Sequence, residues 1–180
     1  MITINCKNFK PISQAVYNNL ISSIAIHSLT CTCGMRGHLI KHAYYKRSVK
    51  SNCEKIKLSI LRVKCTHCGK THALLPSQLI PYSQINFDDT VAIIKTWEAL
   101  DKNKLSLKSS EGLMTSNLLI DFSNVKYIIK KFLTHWSERL MTYNICFDSD
   151  LVRNCFKYFN RQFMQIKRIP NILFYTNHIT

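Results

Sequence analysis

Cys31-Thr32-Cys33-Gly34 and Cys65-Thr66-His67-Cys68-Gly69 are the two stretches on which the fold of this chain turns. Each puts two thiols on one short loop. A glycine after the second cysteine lets the backbone fold back, so that amide hydrogens face the sulfurs. Two such knuckles supply the four soft ligands of a tetrahedral zinc site: Cys31, Cys33, Cys65 and Cys68. The second pair has the common two-residue spacing, the first has one intervening residue, and 31 residues separate the pairs. His38, His42, His67 and His72 are nearby substitutes, His42 foremost if Cys31 does not ligate. The competing reading is four buried cysteines that only pack, in a segment with few large aliphatics to pack against. Four thiolates leave no open coordination position, so one structural Zn2+ is expected. Cys53 in the intervening turn, and Cys6, Cys146 and Cys155 elsewhere, read as ordinary thiols.

Between the knuckles lie two strand-like runs, Leu39 to Lys50 and Ile56 to Lys64, the second with Ile56, Leu58 and Ile60 alternating. Ser51-Asn52 suits the turn between them, and Thr71 to Leu75 can add a third strand. This is the layout of a zinc ribbon, a small antiparallel sheet occupying 29–86. Residues 1–28 read as a helical leader, capped by Ser13, with Val16, Leu20, Ile24 and His27 at helical spacing. Residues 87–180 read as helical. The expected fold class is therefore α+β, with a hinge near Pro81-Tyr82-Ser83-Gln84.

Charge concentrates on the ribbon. The 180 residues carry 25 Lys+Arg against 10 Asp+Glu, a formal net charge of +15. Residues 36–70 hold ten of the basic residues and a single acid, Glu54. Such a field attracts polyanions and speeds their encounter. Lys41, Tyr45 and Arg47 alternate along the first strand, Lys46 and Lys50 have the other parity, and Lys57, Arg62 and Lys64 lie on the second. These are the candidate phosphate contacts, with Tyr44 or Tyr45 either packing on sugar or base or completing the hairpin core.

The helical half suggests a helix-turn-helix. Phe87 to Leu100 opens on Asp88-Asp89 and carries Val91, Ile94, Trp97 and Leu100 on one face, with Ile93 beside it. A short polar helix is expected over 107–117. A longer one starts near Ser123 as its cap and buries Val125, Ile128, Ile129, Phe132, Leu133, Trp136 and Leu140. On its outer face Asn124, Lys126 and Lys130 suit a helix lying in a major groove, although an exposed surface helix looks the same. A last helix over 150–168 carries Phe156, Phe159 and Phe163, to pack on the helical domain or to form a dimer seam or a second nucleic-acid surface.

The stretches Cys31-Thr-Cys-Gly34, Lys41-His-Ala-Tyr-Tyr-Lys-Arg47, Ile60 to Pro76 and Ile80-Pro-Tyr-Ser83 together resemble an uncharacterised family of short bacterial proteins carrying a domain of unknown function. That domain is similar to the N-terminal zinc-binding region of insertion-sequence transposases. Arg161-Gln-Phe-Met-Gln-Ile-Lys167 looks like a tail of the same family, while Ala43 stands where glycine is expected. The resemblance implies a zinc ribbon followed by a helix-turn-helix in a mobile-element setting.

A transposase core would need three carboxylates holding two metal ions. The acids after the ribbon, Asp88 to Asp150, fall mostly at helix starts or on polar faces, and the remaining length cannot hold a catalytic sheet plus a helix-turn-helix. The sequence therefore reads as a non-catalytic, zinc-dependent DNA-binding accessory, regulator or relic of a mobile element. Duplex DNA is the expected partner, through its phosphate backbone, with a transposase or a second copy of the chain beside it. A protein-docking ribbon and a cysteine-based redox or zinc sensor are the rival readings. No apolar run approaches the roughly 18 residues of a membrane span, and no signal-peptide pattern opens the chain, so a cytoplasmic protein without a membrane partner is expected.

Overall fold

A computed structural model describes residues 1–5, 11–51, 54–100, 120–139 and 176–178. The helices expected over 107–117 and 150–168, together with Cys6, Cys53, Cys146 and Cys155, lie outside these residues, as do the side chains of Leu100, Trp136 and Leu140. The architecture is mixed α and β. The described residues fall into two compact units: one within Met1–Val49, Lys55–Gln84 and Lys167–Thr180, the other within Lys50–Glu54 and Ile85–Ile166.

The first unit is built on a sheet. Strands β1 (Ile2–Asn5), β2 (Leu39–Ser51), β3 (Glu54–Cys65), β4 (Thr71–Pro76) and β5 (Thr176–His178) lie in the order β2-β3-β4-β1-β5. The expected hairpin and third strand are present, each within two residues of the boundaries read from the sequence. β3 and β4 pair antiparallel, from Lys64↔Thr71 to Arg62↔Ala73. β1 was not foreseen. Its residues pair in parallel with β4, Ile2↔Leu74 to Ile4↔Pro76, and bury Ile2 and Ile4 completely. Residues 1–28 thus contribute a strand as well as a helix to the unit that carries the cysteine cluster.

Helix α1 (Gln14–Ser22) starts where expected, with the Ser13 hydroxyl accepting from the Val16 amide at 3.3 Å. Its buried face differs from the expected one. Tyr17, Ile21 and the following Ile24 are buried, Val16 and Leu20 are half-buried, and His27 is exposed in a short 3-10 turn, Ile26–Ser28. The reason is the Tyr17 hydroxyl. It donates to the Leu74 carbonyl at 3.1 Å and accepts from the Leu61 amide at 2.9 Å, immediately beyond the last β3–β4 pair. A side chain thereby satisfies two buried backbone groups where the ladder stops. Burial raises the pKa of this hydroxyl and keeps it protonated.

The turn Ile80–Ser83 closes with the Ser83 amide donating to the Ile80 carbonyl at 3.1 Å. Pro81 takes the first central position. Tyr82 takes the second with φ +61°, where a type II turn ordinarily carries glycine. A left-handed tyrosine costs roughly 1–2 kcal/mol. Arg47 holds the turn from β2: its guanidinium donates to the Ile80 and Ser83 carbonyls.

The second unit packs helix α2 (Phe87–Leu100) on α3 (Phe122–Arg139), with Trp97 edge-on to Phe132 at 6.4 Å between centroids. Asn86 caps α2, accepting from the Asp89 amide and donating to the Asp89 carboxylate at 2.8 and 2.9 Å. Ser123 does not cap α3. Asp121 does, accepting from the Asn124 amide at 2.9 Å, while Ser123 donates to the same carboxylate at 2.6 Å. Val125, Ile128, Ile129 and Phe132 form the buried stripe as the periodicity required, while Leu133, also expected there, is half-buried. No described helix is long and apolar enough to cross a membrane.

Candidate metal centre

The first knuckle lies before β2 and the second is the turn between β3 and β4. The two loops solve the same problem with different lengths. In the second, the Gly69 amide donates to the Cys65 carbonyl across four residues, and the Cys65 amide returns to the Lys70 carbonyl, both at 2.9 Å. In the first, the Gly34 amide donates to the Cys31 carbonyl across three residues, and the Cys31 amide returns to the Met35 carbonyl, again at 2.9 Å. The closing turn is one residue tighter, which is what a single residue between Cys31 and Cys33 demands. Gly34 and Gly69 both adopt positive φ, at 88° and 71°, so each glycine is required by its backbone conformation.

The four sulfurs lie within 4.8 Å of one another. The Cys31–Cys68 and Cys33–Cys65 separations are 3.7 and 3.9 Å. These are far longer than a disulfide bond. Zinc–sulfur bonds of about 2.3 Å in a regular tetrahedron set sulfur–sulfur edges of about 3.8 Å. The four residues therefore fit one tetrahedral ion, with thiolates in every corner. Cys31 and Cys65 are fully buried, Cys68 is half-buried and Cys33 reaches the surface.

Two hydrogen-bonded supports fix the cluster. Thr66 in the second knuckle donates its amide to the His38 carbonyl at 2.8 Å, tying that loop to the start of β2. His72 on β4 is buried, with Nε2 3.2 Å from the Cys31 sulfur and Nδ1 3.0 Å from the Met1 amino nitrogen. Burial, aided by the neighbouring amino group and Lys70, pushes the His72 pKa down to about 4, so its ring is neutral. A neutral ring that accepts at Nδ1 donates Nε2–H to the sulfur. Such an outer hydrogen bond orients a ligand and tempers its charge. His72 thus supports Cys31 and does not replace it, and His42 is exposed on β2, outside the cluster. Among the thiols, burial raises Cys31 to about 12, while amide hydrogens, Cys68's foremost, lower Cys65 to about 7. The amide cradle expected after the second glycine-marked turn acts on Cys65.

Around this centre, Lys41, Lys46, Lys57, Arg62 and Lys64 are exposed along β2 and β3. Lys41 and Lys46 have opposite parity, so the hairpin carries charge on both faces. Tyr44 is exposed, and Tyr45 is half-buried against the core, nearer its hairpin-packing reading. Arg47 is not an open cation: two backbone carbonyls engage it and burial lowers its pKa. In the second unit Lys126 and Lys130 are exposed on α3. Lys50 and Asn124 meet each other there, with Lys50 Nζ donating to Asn124 Oδ1 at 3.2 Å. The Asn124 amide nitrogen also donates to Asp121 at 2.5 Å, so this side chain is committed to the helix cap.

The geometry defines a four-cysteine cluster, in a basic β-sheet unit, that could hold one metal ion. Residues 29–110, just under half of the chain, match the family model of a domain of unknown function (DUF6431). The family's description assigns no function and names neither transposases nor zinc ribbons. No curated protein and no solved structure matches the chain.

Proposed function

We propose that the first unit is a zinc ribbon that binds the backbone of DNA, with the metal in a structural role. The observation that carries this reading is the pairing of a coordinatively closed thiolate tetrahedron with five exposed cations on the adjoining hairpin, Lys41, Lys46, Lys57, Arg62 and Lys64. A closed site binds no substrate, so the ion's contribution is to hold that hairpin in one shape. Exposed Lys126 and Lys130 on α3 supply a second basic surface, in keeping with a helix-turn-helix. On this reading the protein is a non-enzymatic DNA-binding accessory or regulator. The mobile-element setting rests on the family resemblance, strongest from Cys31 to Ser83.

The test is anisotropy of a labelled duplex titrated with zinc-loaded protein across a salt series. Five phosphate contacts correspond to a log–log slope of about −4.5, roughly 500-fold in affinity between 50 and 200 mM salt. Lys46→Gln should reduce the slope by about 0.9 and leave the fold intact. A flat salt response would refute the proposal and favour a protein-docking ribbon.

A further inference from the structure

Within the first unit a groove of about 580 Å³ opens beside β2, lined among others by Tyr45, Arg47, Arg62, Thr71 and Tyr82. Arg47 and Arg62 both line it, and among the described residues no Asp or Glu does. Arg62 spends one donor on the Thr71 hydroxyl at 2.8 Å and is otherwise exposed. Arg47 uses Nη2 on the carbonyls of the Ile80–Ser83 turn and its side chain also engages Tyr45, while its Nε is buried with no hydrogen bond of its own among the described residues. A buried donor on a cation, left unmet, marks a place for an acceptor. The rim adds a second, independent signal. Tyr82 is the one non-glycine residue with positive φ among the described residues, and it is 70% exposed. Strain of this kind holds a large aromatic ring out in solvent, where glycine would make the same turn without cost. A cationic floor beside an exposed ring is complementary to a nucleotide, which joins an anion to a flat apolar base. A duplex keeps its bases stacked inside and can offer only phosphates to such a groove.

We propose that this groove seats one unstacked nucleotide of a single strand, its phosphate toward Arg47 and Arg62 and its base against Tyr82. This rests on the nucleic-acid reading above and adds to it a preference for single-stranded or locally opened substrate.

The test uses the full-length, zinc-loaded protein with a fluorescein-labelled oligothymidylate and, separately, a labelled duplex, both at low ionic strength. Tyr82→Gly keeps the turn, since glycine suits its backbone, and removes the ring. It should weaken oligothymidylate binding by about tenfold, the worth of one base–aromatic stack, and leave duplex affinity unchanged. Tyr82→Phe keeps the ring and should bind both as the wild type does. If Tyr82→Gly holds the single strand as tightly as wild type, or if wild type binds duplex but not oligothymidylate, the groove proposal is overturned while the backbone reading stands. If wild type binds neither, the backbone reading fails and this proposal falls with it.

Discussion

Replacing Tyr17 with phenylalanine isolates one oxygen atom. The ring is 1% exposed and its packing is retained, so the hydrophobic contribution does not change. What is lost is the hydroxyl between the Leu61 amide and the Leu74 carbonyl, at 2.9 and 3.1 Å. Both residues are fully buried, and no water can reach the vacated position without opening the packing of α1 on the sheet. An orphaned buried amide costs about 2 kcal/mol, and a carbonyl, with its second lone pair, about 1 kcal/mol. Tyr17→Phe should therefore lower the stability of the first unit by about 3 kcal/mol. The assay is urea unfolding at a fixed, buffered zinc concentration, because metal bound only by the folded state shifts the midpoint by mass action. Amide exchange at Leu61 should accelerate in the same variant. A loss below about 0.5 kcal/mol would refute the account of Tyr17 as a substitute for ladder bonds.

Two further outcomes follow from the metal centre and from the helical unit. X-ray absorption on the zinc form should give four sulfurs at about 2.3 Å and no nitrogen, and Cys65→Ser should abolish stoichiometric binding and unfold the ribbon; a nitrogen in the shell, or metal retained by Cys65→Ser, would contradict the ligand set. At the start of α3, the Ser123 and Asn124 hydrogen bonds hold Asp121 down at about 2, against an ordinary value of 3.8. The carboxylate is thus favoured in the folded state, and its contribution is complete above 3.8 and is lost as pH falls through about 2. Tryptophan emission followed from pH 5 to 2 should show this loss in wild type and not in Asp121→Asn, both tryptophans lying beyond residue 86; identical profiles would remove Asp121 from the cap's energetics.

What the sequence made legible was local. The cluster could be read because each cysteine pair and its glycine lie on one loop, so that spacing brings two thiols together on each. β3 could be read because Ile56, Leu58 and Ile60 alternate, and β2 because Tyr44, Tyr45 and Val49 favour a strand. α2 was bounded correctly because Asp88-Asp89 open it and its apolar face is strong, while its cap, Asn86, was not read. The failures share a cause, a partner far away in sequence. Ile2–Asn5 is too short to announce itself, and becomes a strand because β4 offers a parallel edge. In α1 two series, Val16-Leu20 and Tyr17-Ile21, have equal spacing. The choice between them is made by backbone groups at Leu61 and Leu74. Arg47 counts as a cation in any tally, yet its acceptors lie 33 and 36 residues on. His72 looked like a spare ligand because it sits near the second knuckle, whereas its sulfur partner is Cys31.

The β3–β4 ladder suggests what an ion held by the four cysteines would do. It comprises three pairs, Arg62↔Ala73, Val63↔His72 and Lys64↔Thr71, and a ladder this short is marginal by itself. One end is closed by the second knuckle, beginning at Cys65, and the other by the Tyr17 hydroxyl. Val63 is buried at its centre, which sends Arg62 and Lys64 to the opposite face and into solvent. His72, opposite Val63, reaches back to the Cys31 sulfur, so the ladder's middle pair is also tied to the first knuckle. On the proposed reading, removing the ion should free the knuckle end and leave the Tyr17 end fastened; removing the Tyr17 hydroxyl should do the reverse. Both cations sit on that ladder, so either change should loosen the geometry they present to a phosphate chain. Only the first change should also release the loop at Cys31 and Cys33.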